Sequence, residues 1–303
     1  MKRAHIQESC ELSVIVPISN MAGQLGSLSE WMLETSHFSM EVILVHDVRD
    51  NETGKEVKEL VEFLGNPKVA LIEGDFNGPG GARNAGLDIA SGKWITFWDS
   101  DDSLNLKQVF SNLVNLENTS VDVIIGGFSV LDEVSGDRRH HYIEFENSFT
   151  LSGVALNPGI WRMIFRKKFL DCMQFQEIYM GEDQIFLFEL RIWEKKVVFV
   201  EDSGYIYHKN RIGQLTKDKN RINELVFATR FITKLFFCDA LQFHLGDYLI
   251  LIRQTVTLLI HGKVKVKIEA TFLFFRLLIV AALRGKQDFF RAVLIFLRYR
   301  VQI

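Results

Sequence analysis

Leu12-Ser-Val-Ile-Val-Pro17 is a short, apolar, β-branched run that leads into Ile18-Ser-Asn20. Runs of this kind mark strands buried on both faces. Downstream, Leu25, Leu28, Trp31 and Met32 share one face of a predicted helix. Glu41-Val-Ile-Leu-Val45 reads as a second buried strand. Residues 51–64 read as a helix, because Val57, Leu60, Val61 and Leu64 fall at i, i+3, i+4 and i+7. Val69-Ala-Leu-Ile72 is a third strand, residues 81–90 a short helix, and Lys93-Trp-Ile-Thr-Phe-Trp98 a fourth strand. Strand and helix in alternation predict an α/β fold, a mostly parallel sheet flanked by helices.

In such sheets ligands bind beyond the C-terminal ends of the strands. The residues there are Pro17-Ile-Ser-Asn20, His46-Asp47 and Asp99-Ser-Asp-Asp102. Three carboxylates within four residues repel one another unless a cation joins them. Hard oxygen ligands suit Mg²⁺ or Mn²⁺, which can also bridge two phosphates. The plainer alternative is that Asp102 or Ser103 caps a helix beginning near Leu106.

Two further segments carry chemistry. Gly78-Pro-Gly-Gly-Ala-Arg-Asn-Ala-Gly86 fits neither the dinucleotide fingerprint nor a Walker A loop. It reads as a loop entering a helix, with Arg83 in the first turn to meet an anion, or as an ordinary turn. Met180-Gly-Glu-Asp183 opens a helix expected to run to Lys195. Acidic residues there complement the helix dipole, and one of them could serve as a general base.

The chain has 303 residues, enough for one large domain or two. With 48% hydrophobic and 24% charged residues it is neither disordered nor a disulfide scaffold. The net charge of −3 gives no pull toward nucleic acid. Cys10, Cys172 and Cys238 lie far apart and form no CxxC pair, so a reduced compartment is expected. The basic start has no apolar run behind it, so no secretory signal is expected. Past Val121 the strands Val121–Ile125, Phe128–Leu131, Arg138–Phe145, Val197–Val200 and Tyr205–His208 suggest a more mixed, antiparallel arrangement. Beyond about residue 220 the chain reads as nearly all helix. Residues 225–303 carry a net +8 and the remainder −11. No apolar run there is long enough to span a bilayer. Basic residues between aromatic faces read as helices lying on an anionic membrane. Packing helices of a soluble subdomain or a homodimer are the alternative.

The ordered set of Ser13-Val-Ile-Val-Pro17, Asp47, Ala82-Arg-Asn84 with Gly86-Leu87, Gly92-Lys-Trp94, Asp99-Ser-Asp-Asp102 and Gly181-Glu-Asp183 resembles the family 2 glycosyltransferases of the GT-A fold. The likeness covers residues 11–216 and is nearest to bacterial enzymes of surface-polysaccharide synthesis. It implies a catalytic domain over 1–220 and a basic helical region over 221–303. It implies an inverting transfer from a nucleoside-diphosphate sugar to a glycan or lipid-linked acceptor, in the cytoplasm or on the cytoplasmic face of the membrane. Pro17, Ser19, Asp47, Arg83, Asp99, Ser100 and Asp101 would border the donor. Asp99 and Asp101 match the metal-binding DxD and would hold Mn²⁺ or Mg²⁺, and Asp183 matches the catalytic base. Asp102, Glu182, Trp161 in the segment beside the acceptor cleft, and His208 in the late basic stretch 207–211 are the secondary residues. Two stretches depart from the family pattern. His46-Asp47-Val48-Arg49 stands where Asp-Asp-Gly-Ser is usual, and Gln214-Leu-Thr216 where Ser-x-Thr is common. A nucleotidyltransferase, or a carbohydrate-binding protein with a decayed site, are the competing readings.

Overall fold

The computed structural model describes residues 10–116, 119–141, 151–211, 219–238 and 242–301. The elements run β1 (Leu12–Ile18), α1 (Gly26–Met32), β2 (Met40–Asp47), α2 (Asn51–Leu64), β3 (Val69–Gly74), α3 (Gly78–Ile89), β4 (Trp94–Phe97), β5 (Ser103–Leu104), α4 (Leu106–Val114), β6 (Val123–Gly126), β7 (Phe128–Asp132), β8 (Arg138–His141). They continue α5 (Leu151–Leu156), β9 (Met163–Arg166), α6 (Glu182–Glu189), β10 (Val197–Val200), β11 (Tyr205–Lys209), α7 (Lys219–Phe237), α8 (Leu245–His261), α9 (Val264–Leu283) and α10 (Gln287–Val301). The larger sheet has the order β10-β6-β9-β4-β1-β2-β3. Strands β4, β1, β2 and β3 are mutually parallel, and β9 runs antiparallel between β4 and β6. A second sheet has the order β5-β11-β7-β8. The expected α/β architecture, a mostly parallel sheet flanked by helices, is therefore present.

β1 lies inside the sheet and is buried along nearly its whole length, as its β-branched run requires. α2 starts at Asp50, whose side chain accepts from the Thr53 amide, and ends at Gly65 in the left-handed region (φ 53°).

Three boundaries differ from the sequence reading. The helix expected from residue 81 begins at Gly78, with Pro79 in its first turn, so Arg83 stands in the second turn. Its glycines are packing residues: a Cβ on Gly86 would sit 2.4 Å from Ile15 Cγ2, so α3 can lie directly on β1. The helix expected to reach Lys195 ends at Glu189, because Arg191 takes a left-handed φ of 55° before a short 3₁₀ turn at Ile192–Glu194. The cap of α4 is Asn105, which accepts from Gln108, and not Asp102 or Ser103. Of the strand expected over 138–145, residues 138–141 form β8 and the rest lies outside the described residues, as does Gln214-Leu-Thr216.

By its contacts the chain divides into two compact units. The first comprises Met1–Ile143, Ile160–Cys172 and Lys196–Ile212 and holds both sheets. Its core includes Leu12, Val14, Val16, Leu28, Trp31, Trp94, Trp98 and Leu106. The second comprises Glu144–Gly159, Met173–Lys195 and Gly213–Ile303 and is built from α5 to α10. Ile185 and Phe188 of α6 share its core with Leu225, Ala228, Ile232, Tyr248 and Leu251. The helical region read from residue 221 onward thus takes in α5 and α6 as well.

Candidate active site

The polar ends of β1, β2 and β4 lie on parallel strands, with α3 beginning beside them. Past Pro17 and the exposed Ser19, Asn20 takes a left-handed φ of 58°. Its amide donates to Asp50 Oδ2 at 2.5 Å, and the Met21 amide donates to Thr53 Oγ1 at 2.9 Å. The loop after β1 is thereby fastened to the start of α2.

His46 and Asp47 end β2. His46 is buried, with Nε2 at 2.9 Å from the Asp50 carbonyl. A Cβ on Gly54 would lie 2.5 Å from its ring, so the imidazole fills the place that glycine leaves open in α2. Where the family pattern has a carboxylate, this chain has a structural histidine. Asp47 is gripped by Arg49 through both the side chain and the backbone amide (Arg49 N to Oδ1, 3.0 Å). The Arg49 hydrogen bond holds the Asp47 carboxyl below its usual range.

After β4 the chain presents the acidic turn. Trp98 anchors it, buried edge-on against Trp31 at 5.4 Å, and Ser100 is buried beside it. The Asp99 carboxylate is partly exposed and pairs with the buried Arg83 of α3, Oδ1 to Nη2 at 3.1 Å. Asp101 is also partly exposed, whereas Asp102 is fully buried. Asp102 Oδ2 accepts from the Tyr205 hydroxyl at 2.6 Å, and Oδ1 accepts from the His208 amide at 2.7 Å. Burial first, then the charges of Asp101 and Asp99, push its carboxyl well above the usual range. Asp102 therefore ties the acidic turn to β11.

His208 continues this tie. Its Nε2 lies 2.8 Å from Ser103 Oγ and its Nδ1 contacts Glu133. Arg211 donates to the Asp101 carbonyl and, at 2.5 Å, to Ser27 Oγ. The late basic stretch thus fixes the backbone of the acidic turn. Trp161 packs among Phe128 (4.7 Å), Tyr205 (4.5 Å) and Tyr207 (5.9 Å), an aromatic cluster on the second sheet. Sequence reasoning missed Tyr205, Ser103 and Glu133 as site residues. Tyr205 stands 103 positions from Asp102, and no local pattern marks the pair.

Glu182 and Asp183 belong to the second unit, in the first turn of α6. Asp183 is half-buried, and its Oδ1 accepts from the Gln184 amide at 2.7 Å. Glu182 is buried. Gly181 precedes them at φ 88°, and a Cβ there would sit 2.8 Å from Ala228 Cβ and 2.9 Å from Leu225 Cδ1. Glycine is required twice, for the backbone angle and for the close approach of α7. One turn on, Gln184 Oε1 accepts from Gln254 Nε2 of α8 at 2.9 Å, both side chains buried. The start of α6 is therefore held by α7 and α8.

Among the described residues no three His, Cys, Asp or Glu side chains close a metal cage. Asp99 and Asp101 nonetheless fit an open site. They offer hard oxygens on one turn and are partly exposed, while Asp102 is committed elsewhere. Mg²⁺-like ions take one or two protein carboxylates and complete their shell with substrate phosphates and water.

The family described as "Glycosyl transferase family 2" matches residues 13–193. The GalNAc(5)-diNAcBac-PP-undecaprenol beta-1,3-glucosyltransferase of Campylobacter jejuni is 27% identical over 206 residues, 67% of this chain and 64% of its own. Over the first three curated relatives the match spans 32%, 70% and 60% of their lengths. The crystal structure of S. aureus TarS 1-349 in complex with UDP-GlcNAc shares the fold, with a TM-score of 0.63, 19% identity, and coverage of 86% of this chain and 79% of that one. A Pyrobaculum calidifontis mannosyltransferase in complex with GDP-Man and Mn²⁺ matches at TM-score 0.53, 16% identity, covering 94% and 85%. With this fold, and with the family match over most of the chain, the protein belongs to glycosyltransferase family 2.

Proposed function

We propose that this glycosyltransferase moves a sugar from a nucleoside-diphosphate donor to a hydroxyl of a glycan or lipid-linked acceptor in surface-polysaccharide synthesis, with inversion at the anomeric carbon. The observation that carries the reading is the division of labour in the acidic turn. Asp102 is locked inside, while Asp99, paired with the buried Arg83, and Asp101 are partly exposed. Asp99 and Asp101 would hold a divalent cation, which supplies charge to the departing diphosphate. Arg83 adds a fixed positive charge beside Asp99. Pro17, Ser19, Asp47 and Ser100 would border the nucleotide.

The acceptor hydroxyl has a pKa far above 7, so its attack needs a base. Asp183 would take that proton as the oxygen bonds to the anomeric carbon and the diphosphate leaves from the opposite face. A single displacement inverts the centre and needs no second nucleophile. The lipid-linked acceptor is supported by the Campylobacter relative, a glucosyltransferase named for an undecaprenol-linked glycan. The donor class is supported by the UDP-GlcNAc and GDP-Man complexes that share the fold.

The test is a panel of nucleotide sugars with the purified chain and Mn²⁺, followed by release of the nucleoside diphosphate. One donor is expected to be hydrolysed or transferred. Release of pyrophosphate instead would favour a nucleotidyltransferase, and no turnover of any donor by the folded protein would favour a binding module.

A further inference from the structure

α9 is apolar on two opposite faces, and only one is covered. Ala270, Leu277 and Ala281 are buried in the core of the second unit. Val264, Ile268, Phe272, Phe275, Ile279 and Leu283 are exposed, Phe272 by 73% and Leu283 by 82%. Their spacings are four, four, three, four and four residues. At 3.6 residues per turn these form one row, about 100° wide, along the whole helix. α10 repeats the arrangement. Phe289, Ala292 and Phe296 are buried, while Phe290, Leu294 and Leu297 are exposed. Single exposed apolar residues need no explanation, but a continuous row of six on one helix does.

The charge around the row selects its occupant. Residues 263–303 contain nine Lys and Arg against two acidic residues. Lys265 and Arg276 are exposed and fall along one edge of the row. One of the two acids, Glu269, already pairs with Arg230 of α7. A second copy of this surface would bring like charges together. An anionic surface would meet complementary charge and receive the apolar row. No helix among the described residues is long and apolar enough to cross a membrane. A row running the length of a 20-residue helix suits one lying in the plane of the headgroups.

We infer that the exposed rows of α9 and α10 dock this protein on an anionic lipid bilayer, with α9 lying in the interface. This deepens the reading of a lipid-linked acceptor, yet it is measured without any sugar transfer, so either can fail alone.

The experiment is sedimentation of the full chain with vesicles of mixed phosphatidylglycerol and phosphatidylcholine, and with phosphatidylcholine alone, at low and high salt. Co-sedimentation with the anionic vesicles, weakened by salt, is expected. Phe272→Glu combined with Phe275→Glu should lower the partition coefficient about tenfold or more, with the melting temperature and solution size unchanged. Because both rings are exposed, the fold should survive. Lys265→Glu serves as a second variant and should also weaken binding at low salt. Retention of the wild-type chain in the supernatant with anionic vesicles at low salt would overturn the proposal. So would vesicle binding that neither variant alters. A dimer that Phe272→Glu dissociates would assign the row to a second copy and equally overturn it.

Discussion

Asp99 and Asp102 stand three residues apart and have opposite environments. Asp102 is enclosed and accepts hydrogen bonds from Tyr205 and His208. Asp99 is partly exposed beside Arg83. A buried acceptor left without donors costs about 1–3 kcal/mol, so the two bonds to Asp102 fix the turn that presents its neighbours. Under the proposed transfer, Asp183 would be the proton acceptor. Asp183→Asn keeps size and removes the proton acceptor. Turnover should fall about 10²-fold or more while donor affinity stays near the wild-type value. Steady-state kinetics and donor titration check this, and retained turnover would move the base to Glu182. The acidic turn was legible in the sequence because its carboxylates are contiguous and follow an apolar strand. The inward role of Asp102 was not, because its partners lie more than a hundred residues away and the pairing exists only once β11 is placed.

At the scale of elements, β1, β2 and β4 were legible because apolar runs buried on both faces have few other uses, and the edge strand β3 was legible from its short apolar run although it is only partly buried. The start of α3 was not, because glycines read as a loop until their packing against Ile15 is seen. The end of α6 was hidden for a similar reason, since Arg191 breaks the helix with a backbone angle that no side-chain pattern announces. The start of α6 depends on Gly181. Gly181→Ala places a Cβ against Ala228 and Leu225 at an unfavourable positive φ. It should destabilise the protein by about 1–3 kcal/mol, read as a lower denaturation midpoint, and turnover should fall with it. α8 carries a pH-sensitive cap. Its Asp247 is buried, accepts from Trp193 Nε1 and the His244 amide, and has a carboxyl pushed up by burial to about 6. The ordinary value is 3.8, so the native state binds the extra proton between these values. Stability should therefore fall as pH rises from about 4 through about 6, by at most about 3 kcal/mol from this group. Asp247→Asn should flatten that slope in pH-dependent denaturation. An unchanged slope would assign it to another group.

At the scale of the molecule, the chain has two cores. The first unit supplies the ends of parallel strands and the acidic turn that a nucleotide sugar would meet. The second carries Gly181-Glu-Asp183 at the head of α6 and, on α9 and α10, uncovered apolar rows in a strongly basic segment. The charge split between the acidic body and the +8 tail was legible in the sequence. That the helical unit also holds the Gly-Glu-Asp helix was not, because the bond between Gln184 and Gln254 joins residues 70 positions apart. The proposed transfer requires a donor held through its diphosphate by a divalent cation at Asp99 and Asp101. Calorimetric titration of the purified chain with its preferred nucleotide sugar, with and without Mn²⁺, measures this directly. Binding should require the metal in the wild type and should be lost in a folded Asp101→Ala variant; equal affinity in that variant with Mn²⁺ present would contradict metal-mediated donor binding at this turn.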